Sequence, residues 1–176
     1  MLFDTAAIKN GPDRGLRIAL AVTAVVPLLF IFIAGAVWRM SATATSGTNN
    51  VQGQPPSWFF AFFWTLITLM WGLVVVLAAL QMIGRGALVA VLVLSVLLAI
   101  VCALWLYVYN GLKQKGNSCL VLGTALLLGL VMWSVLATAT YSDNDARIAC
   151  TAMFAVFVAW AAYALMLNFF DANLKA

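Results

Sequence analysis

Histidine and glutamate are missing from this chain, and acid of any kind is scarce, with five aspartates in 176 residues. That absence excludes most site chemistry. Without imidazole, paired carboxylates or a nucleophile beside a base, no catalytic constellation assembles, and no set of ligands holds a metal. The sequence therefore assigns no catalytic and no metal-binding residues, and an enzyme is not expected. The three cysteines, Cys102, Cys119 and Cys150, form no Cys-x-x-Cys pair. Each lies in or beside an apolar segment and reads as a small buried hydrophobe. No Asn-x-Ser/Thr acceptor occurs. The stretch Met1 to Arg17 lacks the short apolar core of a cleavable signal, so the first spanning helix is expected to direct insertion. Basic residues are dispersed despite a net charge of +4, which suits headgroup contact and excludes a nucleic-acid partner.

What the chain has instead is apolar length. Hydrophobic residues make up 66% and charged residues 8%, with a mean hydropathy of +1.09; soluble domains carry about 25% charge. Five runs exceed the roughly 18–20 residues needed to cross a bilayer. They fall at about 17–38, 58–83, 87–109, 119–141 and 148–170. The sequence thus predicts one all-α membrane domain, a bundle of five transmembrane helices with the lipid bilayer as its first partner.

The connections are short and turn-rich: Gly84-Arg85-Gly86, then Asn110 to Ser118, then Ser142-Asp143-Asn144-Asp145, whose side chains suit the start of a helix. Short connections make successive helices antiparallel. The exception is a flexible polar loop at 39–57, long enough to contact assembly partners. Orientation stays open. Lys9, Arg14, Arg17, Arg85 and Arg147 fall on one side and Arg39, Lys113, Lys115 and Lys175 on the other, too even a split for the positive-inside rule.

Three features carry pattern. The stretch Pro55 to Gly72 opens on a proline pair, which suits a helix entry, and then loads Trp58, Phe59, Phe60, Phe62, Phe63 and Trp64 into two turns. Pro27 interrupts the first span and is expected to kink it. In the fifth span Ala152, Ala155, Ala159 and Ala162 recur at helical spacing, a ridge where a neighbouring helix or a second copy in a homodimer can approach closely, with Met153, Phe154, Phe157 and Trp160 opposite.

These motifs resemble the translocator protein / tryptophan-rich sensory protein (TspO) family. Pro55-Pro56-x-Trp58-x-Phe60 followed by Trp64-Thr65 and Gly72 is similar to that family's second-helix pattern P-P-x-W-x-F-G-P-x-W-T. Trp160-x-x-Tyr163-Ala164-x-x-Leu167-Asn168 is similar to its W-x-x-F-A-x-x-L-N ending. Departures are equally plain. Ala61 and Phe62 replace Gly-Pro, and Thr68 replaces a tyrosine. Leu98, Cys102 and Leu106 stand at the polar positions of the family's third helix. Phe169 and Phe170 replace two tyrosines, and Asn173 replaces an arginine. A sterol-type pattern L-x-x-Y-x-x-x-K occurs at Leu106, Tyr109 and Lys113.

The resemblance implies an aromatic pocket between helices for a planar hydrophobic small molecule, a tetrapyrrole such as haem or protoporphyrin, or a sterol, with no cofactor required. Its expected lining is Trp38, Trp58, Phe60, Trp64, Thr65, Trp105, Trp160, Tyr163 and Asn168. The contrasting expectation is a structural or assembly protein that keeps the fold without the ligand. The host membrane is an outer mitochondrial, a bacterial or a viral internal membrane. A channel or proton-coupled transporter is disfavoured, because ionisable residues cluster at span ends.

Overall fold

In a bilayer, burying an apolar side chain against protein gains nothing over leaving it in lipid, so shape and polar groups decide which helix face turns inward. The four helices seen here obey that rule. The computed structural model describes Gly15 and residues 57–82 and 84–173. Helix α1 spans Ser57–Gln81, α2 Arg85–Leu106, α3 Lys115–Thr138 and α4 Asn144–Asn173. Each is long and apolar enough to cross a membrane, which makes the chain a multi-pass membrane protein, all-helical over the described residues. The expected first span, its Pro27 kink, Trp38 and most of loop 39–57 lie outside the described residues.

Inward faces mix small, aromatic and polar residues with selected aliphatics. On α3 these are Ser118, Leu122, Ala125, Gly129, Met132 and Leu136. They recur at alternating steps of four and three, the seam of a left-handed helix pair. Helix α4 answers with Ala146, Cys150, Phe154, Phe157, Ala161, Ala164, Asn168 and Asp171. Other large aliphatics, Val93, Leu97, Ile100, Leu104, Leu120, Leu127 and Val131, turn outward, where lipid serves them as well as protein would. Helix α4 is central, lying along α3 and α1, while α2 packs mainly on α3.

Helices α3 and α4 approach closely at Gly129. A Cβ built there would sit 2.9 Å from Cε1 of Phe157, so only glycine lets that ring rest on the α3 backbone. Phe157 in turn packs on Trp71 of α1, with ring centroids 5.3 Å apart, and Phe154 meets the same indole edge-on at 6.2 Å.

The alanine ridge of α4 is corrected by this packing. Ala152, Ala159 and Ala162 are exposed; the alanines buried against neighbours are Ala146, Ala161 and Ala164. Phe154 and Phe157 take the inward face because their rings fill the space that Gly129 opens.

The turns fix the order of the bundle. Gly84 is extended and leads into α2. Met82 bridges Tyr141, and the Ser142 amide donates to the Gln81 carbonyl at 2.8 Å, tying the α1–α2 turn to the α3–α4 turn. Ser142 Oγ also donates to Gln81 Oε1. Asp143 Oδ1 accepts from the Asp145 amide at 3.0 Å, the capping expected at this helix start. At the other end, α2 runs into a π-helical turn, Tyr107–Gly111, closed by Leu112 N–H donating to the Tyr107 carbonyl. Lys113 then adopts φ 57°, a left-handed conformation costing about 1–2 kcal/mol for a residue with a Cβ.

Candidate functional site

The aromatic stretch at the start of α1 meets rings from α2 and α4. Phe59 and Phe63, one helical turn apart, stack at 5.4 Å, and Phe63 lies 4.4 Å from Trp160 on α4. Trp64 meets Trp160 edge-on at 6.4 Å, with an interplanar angle of 82°, and Trp105 of α2 at 5.5 Å. Trp160 continues to Tyr163 at 5.4 Å, and Trp105 stacks on Tyr109 at 5.9 Å. Offset and edge-to-face pairs at these separations are the arrangements the ring quadrupole favours, about 0.5–1.5 kcal/mol each.

A continuous string of rings therefore runs from α4 across α1 to α2. The indole N–H groups of Trp64 and Trp105 are shielded from solvent and have no hydrogen-bond partner among the described residues. Such a donor ordinarily costs about 1–3 kcal/mol, and it is available to an acceptor entering between the rings.

The string ends in a polar group. Tyr109 Oη donates to Asp171 Oδ2 at 3.1 Å, and the same carboxylate oxygen lies 2.5 Å from Lys115 Nζ. Asp171 is 5% exposed, so its charge is compensated inside the bundle. One turn away, Asn168 Nδ2 donates to Ser118 Oγ at 3.4 Å, and Ser118 Oγ donates to the Lys115 carbonyl at 2.6 Å. This buried amide joins α4 to α3.

Four of the nine expected lining residues come together: Trp64, Trp105, Trp160 and Tyr163. Thr65 is half-buried beside Trp64. Asn168 faces Ser118, across the α3–α4 seam. Trp58 and Phe60 belong to the first turn of α1, but their side chains, like Trp38, lie outside the described residues. The expected lining left out Phe59, Phe63, Tyr109, Lys115 and Asp171. Asp171 was not singled out because the buried row it continues, Ala161, Ala164 and Asn168, emerges only from the packing. Phe63 was legible only from its four-residue spacing to Phe59.

These observations define the described part of the chain as a multi-pass helical bundle with a three-helix aromatic cluster towards one end. No family model matches the chain, and no curated protein matches it.

Proposed function

We propose that this is a TspO-like membrane protein whose aromatic cluster receives a planar hydrophobic ligand, a tetrapyrrole or a sterol. The observation that carries this reading is the meeting of Trp64, Trp105 and Trp160 from three helices, with two indole donors left unpaired among the described residues. Flat rings stack on flat ligands, and a few buried donors fix the orientation. Entry requires Phe59 and Phe63 to part from Trp160, because these rings are in contact.

One observation favours a second reading, a structural or assembly protein of an organelle or virion membrane. The rings already touch one another at 4.4–6.4 Å, so the cluster can serve as helix packing alone.

Titration of the detergent-purified chain with protoporphyrin or haem separates the two. Ligand binding gives saturable quenching of tryptophan fluorescence at micromolar concentration. Trp105→Phe and Phe63→Leu weaken it about fivefold or more, the loss of one good aromatic contact. Phe62→Leu, whose ring is exposed on the outer face of the same helix, leaves it unchanged. Folded protein without saturable quenching, or with equal effects at Phe62 and Phe63, returns the chain to the structural reading.

A further inference from the structure

A second feature lies at the opposite end of the bundle, between α3 and α4. An open groove of about 430 Å³ runs down their outer face, lined by Trp133, Ala137, Ile148, Thr151, Ala152 and Ala155, with Arg147 at its mouth. Two α4 alanines, Ala152 and Ala155, lie in its lining, and Trp133 Nε1 donates to the Thr151 carbonyl at 3.1 Å across it. Arg147 also borders an adjoining polar groove of about 330 Å³, formed by Thr138, Thr140, Tyr141 and Asn144 at the helix ends.

An apolar trough and a polar cup thus share one residue, and that residue is a cation. Its guanidinium is held by two hydrogen bonds to Asn144 Oδ1, at 2.8 and 3.1 Å, with no carboxylate partner among the described residues. Asp143 and Asp145 are close in sequence but line neither groove. Burial pushes the Tyr141 phenol above its ordinary range, with the Cys150 thiol adding to the shift, so Tyr141 brings no negative charge to the cup.

We propose that this α3–α4 face holds one anionic phospholipid, its acyl chain in the trough over Trp133 and Ala152 and its phosphate on Arg147. Charge complementarity selects this occupant. A neutral apolar helix would fill the trough but leave the guanidinium and the polar cup unanswered; a second copy would bring Asp145 of its own α4, and a change in dimer fraction distinguishes it from lipid. A fixed arginine presents several donors to phosphate oxygens, and each cation near a membrane surface favours anionic lipid by roughly 1 kcal/mol, about fivefold. The site is independent of the aromatic cluster, sharing no residue with it.

The test is native mass spectrometry of the delipidated full chain titrated with phosphatidylglycerol or phosphatidylcholine. The expected result is one phosphatidylglycerol retained per chain in preference to phosphatidylcholine, with inorganic phosphate failing to displace it. Arg147→Gln lowers that retention about fivefold and abolishes the preference, whereas Arg147→Lys keeps the preference. Ala152→Phe fills the trough and lowers retention of both lipids; Ala159→Phe, on the same outward row but outside the groove, changes neither. Unchanged helical circular dichroism selects folded material, and if Arg147→Gln misfolds, the contrast between Ala152→Phe and Ala159→Phe decides. The proposal is overturned by an unaltered lipid preference in Arg147→Gln, by equal effects at the two alanines, by displacement with inorganic phosphate, or by a change in dimer fraction in place of lipid loss.

Discussion

Asp171 sits where an isolated carboxylate would be expensive, and its neighbours explain how it is tolerated. Lys115 supplies the opposite charge at 2.5 Å and Tyr109 a hydrogen bond at 3.1 Å. Removing one member of a buried pair leaves the other uncompensated. Asp171→Asn is therefore expected to lower stability by about 2 kcal/mol or more, since a hydrogen bond to a charged group contributes about 1.5–3 kcal/mol. Tyr109→Phe should cost about 1 kcal/mol. In a double-mutant cycle by equilibrium unfolding in mixed micelles, the two changes should be less than additive. Strict additivity would mean that the contact between them contributes nothing.

At the scale of helices, the α3–α4 contact depends on Gly129, where backbone and ring touch. Gly129→Ala puts a Cβ against the Phe157 ring and is expected to destabilise by about 1–3 kcal/mol, the usual range for overpacking. Phe157→Leu in the same chain should recover part of that loss, read from the same unfolding curves. A substitution at Gly123, where a Cβ meets nothing within 4 Å, should change stability little. The helices themselves were legible in the sequence. The spans expected at 58–83, 87–109, 119–141 and 148–170 each overlap an observed helix, with ends displaced by up to four residues. Those displacements have a physical cause, because polar residues such as Lys115, Gly116 and Asn117 start α3 without being apolar. Inward faces were less legible. With lipid as the solvent, hydrophobicity does not separate inside from outside, so the alanine row at 152, 155, 159 and 162 looked like a contact surface while Ala146, Ala161 and Ala164 make the contacts. Aromatic convergence was half legible, since Trp64 and Trp160 stood in motifs and Phe63 did not.

At the scale of the whole molecule, the turn at 84–86 and the turn at 139–143 lie at one end of the bundle and the turn at 111–114 at the other, so the two ends are expected on opposite sides of the membrane. Cysteine probes check this arrangement in a cysteine-free background. Gly86→Cys and Gly116→Cys both place their new atoms in open space. The first should label together with Ser142→Cys from one side of sealed vesicles, the second from the other side only. Labelling of Gly86→Cys and Gly116→Cys from the same side would contradict the antiparallel order.

That order also separates the two candidate sites by depth. Tyr109 and Trp105 stand near the Lys113 side, while Arg147 and Trp133 stand near the Arg85 side. A flat molecule dissolved in the first leaflet reaches the rings without passing the midplane, and a charged lipid reaches its groove only from the second. Occupancy of the two would then follow the separate compositions of the leaflets, so an asymmetric membrane would load the same protein differently according to the direction in which it was inserted.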